Sequence, residues 1–509
     1  MKASVGLAPP PGPSSSRPAA PDPLRRYQRL GVAGVVLVLL AFGLFNALAV
    51  RPFFAGDETA HVNYALEVSS GRLPHFDDRF PSRFPGMRDT VTWTAMHPPL
   101  YYVLVAGPLR AGLDTGHPLA GLLAARLLTL LLAAGAVVAT AALAAALLPR
   151  RPAAPVVAAG GLALVPSFQQ LVALVYNDAL ALLTATAVLA LVVTTVRHGC
   201  DRRRLRLLAL AAAIAVAARA SSLEVAALAV LAAATPPGPE RGRPWRQRAP
   251  GALRRMSVVA VTTALPSAWF YLRNRQLYGS LDGSTRAVPP TAARGPSVLD
   301  NGSSPGFWLD QYRQLWGYVT TNTPIGGLVE LLAYALLAAV LGGLGLAALR
   351  ELRELRRGER LAPRGPLALA WLLMGVHAAL VGGTVLAYFA RGALPFGRYF
   401  FPLLPLLPVI AAVGLAQLPD SRRGLPPVAA LLAAAGIGIG MTGPVLAVID
   451  PTLAGRGLVG QLTGALAAAA VPAPALVLGL LATLLAVGLL LLGAAVVRLS
   501  AAPPAAAGR

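Results

Sequence analysis

Long apolar runs separated by short basic segments are the feature that most restricts how this chain can fold. A run of about 20 apolar residues crosses a bilayer as one helix, and a helix satisfies its own backbone hydrogen bonds in lipid. The 509 residues are 56% hydrophobic and 13% charged, with a mean hydropathy of +0.63. A soluble core cannot bury that much apolar surface. The sequence therefore predicts an all-α polytopic membrane protein.

The arginines between the apolar runs predict on which side of the membrane each connecting segment lies. Basic residues concentrate in cytoplasmic loops, and here they occupy alternate loops if residues 98–112 do not cross. That segment is too short to span and is predicted as an interfacial helix. Both termini are then cytoplasmic. About 12 crossings (about 11 to 13) are predicted on this basis, at residues 30–50, 121–148, 153–168, 178–196, 205–219, 221–235, 256–272, 328–349, 366–389, 399–417, 425–447 and 473–497.

Two of these predicted crossings are irregular. Arg219 and Glu224 interrupt the apolar run between residues 205 and 235. Charged side chains in lipid are costly unless they are used or solvated. The segment is therefore predicted as a hairpin of two short helices or as a re-entrant structure.

The positions of the basic residues and the single cysteine argue against nucleic-acid binding and against an internal disulfide. The formal net charge of +23 resides in short loops, where it sets topology, so nucleic-acid binding is not predicted. The single cysteine, Cys200, cannot form an internal disulfide.

The pattern of apolar runs also divides the chain into parts. The predicted parts are a disordered cytoplasmic tail at 1–24, a transmembrane module at 25–420 with large external segments at 51–120 and 273–327, C-terminal transmembrane helices at 421–498, and a second disordered tail at 499–509.

A cluster of ionisable residues follows the first predicted crossing. Asp57 and Glu58 are adjacent, and His61 follows three residues later. If this segment is helical, either carboxylate shares a face with the imidazole, because residues three or four apart are neighbours on a helix. Such a face suits a divalent cation or a general base. The alternative is that Asp57 only caps the helix. A zincin needs a second histidine and a di-iron bundle a second Glu-x-x-His motif, so both are disfavoured.

Four further motifs fall on the same predicted external side. Each has a simpler interpretation, as a surface histidine, a helix cap or an arginine that anchors a helix at the lipid headgroups. Arginines in these motifs also suit the phosphate of a lipid or a substrate. Because the topology comes from other arginines, their common placement favours a shared external site. The motifs are His97-Pro98-Pro99, Asn177-Asp178, Arg273-Asn274 with Tyr278-Gly279, and Gly397-Arg398-Tyr399-Phe400.

This ordered set of motifs resembles the GT-C superfamily of membrane glycosyltransferases, in an uncharacterised bacterial branch related to protein mannosyltransferases and aminoarabinose transferases. The resemblance covers roughly residues 30–420. It implies a plasma-membrane enzyme that transfers a sugar from a polyprenyl-phosphate donor to an envelope glycan, glycolipid or protein on the extracytoplasmic face. Many GT-C enzymes carry a soluble domain after their helices, and this sequence has no such segment. Acceptor recognition would then fall to residues 51–120 and 273–327.

The resemblance also implies roles for individual residues. Asp57 and Glu58 would be catalytic, with Asp57 as the base that deprotonates the acceptor. Arg273 and Arg398 would neutralise the phosphate leaving group. A divalent cation at Glu58, His61 and His97 is left open. The predicted substrate-binding residues are His61, His97, Asn177, Asp178, Arg273, Asn274, Tyr278, Arg398 and Tyr399.

Two other functions fit the composition. A transporter or flippase of lipid-linked saccharides would place its charged groups near the membrane midplane, where only Arg126, Arg219 and Glu224 are predicted to lie. A non-catalytic membrane scaffold would not require the Asp57-Glu58 pair. Neither predicts ionisable residues gathered at one membrane surface.

Overall fold

A computed structural model describes residues 23–54, 56–289, 291–317, 325–357 and 365–502. Within these ranges the chain is helical, and its only β-type pairing is an isolated bridge between Arg79 and Val91. The predicted tails lie mostly outside the described residues. The helices are α1 (Pro23–Ala49), α2 (Gly56–Ser69), α3 (Leu100–Asp114), α4 (Pro118–Leu147), α5 (Ala154–Ala163), α6 (Pro166–Val172), α7 (Asp178–His198), α8 (Arg202–Ala218), α9 (Leu223–Ala233), α10 (Trp245–Ala264), α11 (Ala268–Tyr278), α12 (Ser284–Ala287), α13 (Val298–Ser303), α14 (Pro305–Trp316), α15 (Gly327–Arg356), α16 (Pro366–Ala390), α17 (Leu406–Leu415), α18 (Leu425–Ile449), α19 (Leu458–Ala468) and α20 (Pro474–Ser500).

In the described part of the chain, seven helices are long and apolar enough to cross a membrane, namely α1, α4, α7, α15, α16, α18 and α20. Two bent pairs raise the number to nine if each pair is one crossing. The all-helical, multi-pass class is thus confirmed, whereas the predicted count of twelve is not. The predicted spans at 205–219 and 221–235 correspond to α8 and α9, which have 17 and 11 residues. The span at 256–272 is divided between α10 and α11.

The two bends occur where proline interrupts an apolar run. Pro166 begins α6, which turns by 68° from α5. The 3-10 segment Gly397–Leu403 contains Pro402 and meets α17 at 73°. Proline lacks the N–H that a helix needs and clashes with the preceding turn. Near both bends, polar side chains lie in the protein interior. They belong to the segment after α6 and to the segment before α17.

α1 and α20, the first and last helices of the described chain, pack against each other. Their closest approach is at Gly34 and Gly488, where a Cβ added to Gly34 would lie 2.7 Å from the Gly488 carbonyl oxygen. Small residues allow membrane helices to pack this closely. Around this contact, α1 buries an apolar face that includes Val35, Val38 and Leu39.

The segment between α1 and α4 folds into a packed layer. α2 and α3 lie against each other, with the rings of Tyr64 and Tyr102 stacked at 3.8 Å. The Tyr101 hydroxyl contacts the Thr129 hydroxyl of α4 at 2.6 Å. At 15 residues, α3 is too short to cross a bilayer, in agreement with the predicted interfacial helix. This layer fixes α2, whose first turn carries both predicted catalytic carboxylates.

Candidate active site

The Glu58 carboxylate is enclosed by a complete set of donors. Arg126 contacts it through two nitrogens, Nε to Oε1 at 2.8 Å and Nη2 to Oε2 at 2.7 Å. The backbone N–H groups of Phe53 and Val175 each donate to it at 3.1 Å. The Glu58 and Arg126 side chains are 0% and 3% exposed. A bidentate guanidinium–carboxylate pair is geometrically specific, so this pair holds α2, α4 and the segment after α6 together.

Asp57, one residue earlier, has open surroundings. Its Oδ2 accepts a hydrogen bond from Arg398 Nη1 at 2.6 Å, and the Asp57 side chain is 30% exposed. Both residues line a cavity of about 230 Å³. Asp57 lies in the first turn of α2, where the helix dipole favours negative charge. A carboxylate beside a cavity can accept a proton from a bound hydroxyl.

A second carboxylate–arginine pair lies across the same cavity. Asp178 begins α7 and pairs with Arg219, which also lies 3.5 Å from the Asn177 side-chain oxygen. Arg219 has extended backbone at the C-terminal end of α8. The break in the apolar run noted at Arg219 thus brings this guanidinium to the site. Arg219 was not among the predicted site residues, although its position inside an apolar run was a signal.

His61 and His97 line the small cavity as neutral imidazoles. His61 Nδ1 lies 3.0 Å from the Tyr102 hydroxyl, and its ring is 4.9 Å from that of Tyr176. Burial, followed by the Arg219 and Arg398 charges, lowers the pKa of His61 well below its usual value. Burial and then Arg219 lower the pKa of His97 in the same way. Neither histidine is therefore a cation at neutral pH.

The predicted metal ligands do not form a metal site. Within the described ranges, no group of three His, Cys, Asp or Glu side chains is arranged to hold a metal ion. Glu58 is occupied by Arg126, and the two histidines face guanidinium groups. Nearby cations disfavour a further cation by electrostatic repulsion. The cation left open at Glu58, His61 and His97 therefore gains no support from these contacts.

A larger cavity of about 450 Å³ adjoins the one beside Asp57. The two share Arg398, Tyr399, Arg219, Asp178 and His97 among their lining residues. The guanidinium groups of Arg219 and Arg398 lie in the shared wall, while aliphatic side chains of α7 and α16 line part of the larger cavity, beside polar residues that include Glu224 and Thr384. This arrangement can hold an anionic group attached to an apolar chain. The aliphatic residues are Ala181, Leu182, Ala185, Val381 and Val385, and the third arginine is Arg391.

Arg273, Asn274 and Tyr278 line neither cavity. Arg273 Nη2 donates to the Pro74 carbonyl oxygen at 2.8 Å, and Asn274 Nδ2 donates to that of Met96 at 2.8 Å. The Tyr278 hydroxyl accepts from the Phe76 N–H at 3.1 Å. Met96 and Phe76 do line the small cavity. These three predicted site residues therefore contact the site only through the loop between α2 and α3.

No protein-family model matches the chain, and no curated protein matches it in sequence. Among solved structures, it is similar to ArnT from Cupriavidus metallidurans in the apo state, with 16% identity and a TM-score of 0.46 over 94% of this chain and 76% of ArnT. It is also similar to the archaeal oligosaccharyltransferase AglB from Archaeoglobus fulgidus, solved with an inhibitory peptide and a dolichol-phosphate.

For AglB the identity is 13% and the TM-score 0.40, over 82% of this chain and 55% of AglB. The chain thus spans little more than half of the length of that protein. ArnT and AglB are both GT-C glycosyltransferases, the superfamily that the order of motifs resembles. Because the similarities are low, the activity of this chain has to be inferred from its own side chains.

Proposed function

We propose that the chain is a membrane glycosyltransferase that transfers a sugar from a polyprenyl-phosphate donor to a hydroxyl group on the extracytoplasmic face of the plasma membrane. The observation that carries this proposal is the position of Asp57. Its partly exposed carboxylate faces a small cavity that adjoins a larger one with cationic and aliphatic walls. A proton acceptor and an anion-binding wall are the two groups that sugar transfer from a phosphate requires.

The donor phosphate would bind at the shared end of the two cavities. Arg219 and Arg398 line both cavities at this end, and Arg391 lines the larger one. Guanidinium groups bind phosphate oxygens through paired N–H donors. The aliphatic side chains of α7 and α16 would accommodate the first isoprene units. A bound phosphate also competes with Asp57 for Arg398, which frees the carboxylate for chemistry.

The transfer step would proceed as an inverting displacement. The acceptor oxygen forms a bond to the anomeric carbon while the bond from that carbon to the phosphate oxygen breaks. Asp57 takes the hydroxyl proton, and the polyprenyl phosphate leaves with the electron pair of the broken bond. Negative charge grows on the leaving phosphate in the transition state, and Arg398 and Arg219 stabilise it there. No metal ion is needed for this balance.

Glu58 would act differently from the role inferred by resemblance. Its carboxylate already accepts from Arg126 and from two backbone N–H groups. We assign it a positioning role that fixes the first turn of α2 and thereby aims Asp57. His61 and His97 would line the acceptor position as neutral hydrogen-bonding groups.

The proposal is tested with Asp57→Asn. The purified full chain is reconstituted in liposomes with a panel of radiolabelled polyprenyl-phosphate sugars and delipidated envelope glycans, glycolipids and proteins as acceptors. Loss of a general base lowers rates by about 100-fold or more, so transfer should fall by at least that factor. Asp114→Asn is the matched control, because Asp114 also pairs with an arginine but is exposed. Wild-type transfer rates in Asp57→Asn would refute the catalytic role.

The same preparation separates transfer from transport. A flippase would move the labelled lipid between leaflets without forming a new glycosidic bond. The transporter would be supported instead if the labelled lipid exchanges between leaflets, no labelled product forms, and Asp57→Asn leaves the exchange rate unchanged.

A further inference from the structure

A second group of arginines lies at the other end of the helices. α4 carries Arg126 near its start and ends at Leu147, shortly before Arg150 and Arg151. The 21 residue steps from Arg126 to Leu147 correspond to roughly 30 Å of helix. The two arginines are therefore separated from the Asp57 site by about the thickness of a bilayer core.

Two cavities open at this end and share a wall. One has a volume of about 580 Å³ and is lined by Arg150, and the other has about 520 Å³ and is lined by Arg350. Arg151 and Arg422 line both. In the part of the chain that the structure describes, none of these four arginines forms an ion pair with a carboxylate. The wall thus has uncompensated positive charge.

Two of the four guanidinium groups are fixed by the chain itself. Arg151 Nη1 donates to the Val413 carbonyl oxygen at 3.5 Å, and Arg350 donates to the Gln417 side chain. Both are held at the C-terminal end of α17. Burial, followed by the Arg350 charge, lowers the pKa of Arg151. Like charges held this closely favour an anion between them.

The surroundings favour a lipid over a soluble anion. Arg350 belongs to α15, and Leu499 in the wall of the larger cavity belongs to α20. In the most apolar stretch of each of these two helices, only 11% is buried inside the protein. Both helices therefore expose apolar faces to the bilayer. Val157 and Leu415 add further apolar surface to the same wall. Basic pockets between transmembrane helices suit anionic headgroups.

We propose that this double cavity binds the phosphates of an anionic phospholipid, with Arg151 and Arg422 between two phosphate positions and Arg150 and Arg350 on the outer sides. The site is separate from the proposed transfer reaction and does not depend on it. Its occupant bridges the loop before α5, the C-terminal end of α17 and the lipid-facing helix α15. A diphosphate lipid places one phosphate in each cavity and therefore binds more tightly than a monophosphate lipid.

The test uses the detergent-solubilised full chain titrated with cardiolipin and followed by native mass spectrometry. Phosphatidylglycerol, neutral phosphatidylcholine and inorganic pyrophosphate are titrated in parallel. Cardiolipin should bind most tightly, and Arg151→Gln with Arg422→Gln should raise its apparent Kd at least about tenfold. Arg202→Gln with Arg203→Gln is the matched control, because these arginines are exposed at the start of α8 and line neither cavity.

Three results would overturn the proposal. The first is wild-type cardiolipin affinity in the Arg151/Arg422 variant, and the second is an equal loss in the Arg202/Arg203 control, which would indicate nonspecific attraction. The third is pyrophosphate binding as tight as cardiolipin binding, which would assign the site to a soluble anion. If the Arg151/Arg422 variant does not fold, Arg150→Gln with Arg350→Gln replaces two exposed side chains of the same cavities and is judged by the same criteria.

Discussion

Asp57 and Glu58 are neighbours in the first turn of α2, yet their surroundings are opposite. Glu58 and Arg126 are closed off from solvent, and every donor around that carboxylate comes from the protein. Asp57 and Arg398 form one hydrogen bond at the edge of a cavity, and 30% of the Asp57 side chain is exposed. A closed pair can only maintain the structure, whereas an open pair can exchange its partner for a ligand.

The comparison also shows how one ion pair supports the other. Arg126 Nη1 donates to the carbonyl oxygens of Ala47 and Val50, at 2.8 and 3.0 Å. Those carbonyls lie at the end of α1, just before the turn into α2. The Glu58 pair therefore fixes where α2 begins, and with it the direction in which Asp57 points.

The largest expected effect on stability is that of Glu58→Ala. Removing one partner of a buried ion pair leaves the other charge buried and uncompensated, at a cost of about 3–5 kcal/mol. The free energy of unfolding, measured by denaturant titration in mixed micelles, should fall by about that amount. Activity per folded molecule should fall much less than in Asp57→Asn.

Glu67→Ala on the same helix is the matched control. The Glu67 side chain is as buried as that of Glu58, but its partners Arg72 and Arg83 are 64% and 28% exposed and can turn toward water. Its loss of stability should be clearly smaller. If Glu58→Ala and Glu67→Ala lose equal amounts of stability, the burial of the partner arginine does not determine the cost of removing the carboxylate.

An intermediate effect is expected for Arg398→Gln. If Arg398 exchanges Asp57 for the donor phosphate, the KM for the polyprenyl-phosphate sugar should rise about 10- to 100-fold, since charge-assisted hydrogen bonds are worth about 1.5–3 kcal/mol. Arg398→Lys should recover part of the affinity. Steady-state kinetics with varied donor gives both constants. A decrease in kcat at unchanged KM would instead mean that Arg398 does not bind the donor phosphate in the ground state and acts only in the transition state or by holding Asp57.

The smallest expected effect is a dependence of stability on pH. The pKa values of His61 and His97 are lowered in the folded protein, while an unfolded histidine titrates near about 6.5. As the pH falls below that value, the unfolded chain gains protons that the folded chain excludes. Stability should therefore decrease on acidification, by at most about 1.4 kcal/mol per pH unit for each histidine.

Denaturant titrations at a series of pH values measure this slope. His61→Gln with His97→Gln should reduce it, whereas His117→Gln, which replaces an exposed histidine, should leave it unchanged. An unaltered slope in the double variant would show that these imidazoles already titrate in the folded protein. The site around Asp57 would then contain a second group able to act as a base.

The sequence predicts the helical membrane class and the grouping of several site residues. Asp57, His61, His97, Asn177, Asp178, Arg398 and Tyr399 all line the small cavity. These residues share a signal, because each is a polar group at the edge of an apolar run. The alternation of basic loops predicted one common side for these residues, and the structure brings them to one cavity.

The sequence does not determine which arginine contacts which carboxylate. Arg126 and Arg219 lie inside apolar runs, and only the tertiary position of α4 and the break after α8 bring them to Glu58 and Asp178. For the same reason, Glu58 and His61 are three residues apart but do not act together. The predicted count of twelve crossings is not confirmed for a different reason, since prolines and arginines shorten or bend runs that are apolar on average.

The most direct test of the account measures transfer activity per folded molecule and the free energy of unfolding for Asp57→Asn and Glu58→Gln in the same preparations. Asp57→Asn should lose at least about 100-fold in activity with stability nearly unchanged. Glu58→Gln should lose stability, while the activity of each folded molecule falls much less than in Asp57→Asn. The reverse result, an active Asp57→Asn and a stable but inactive Glu58→Gln, would contradict the account.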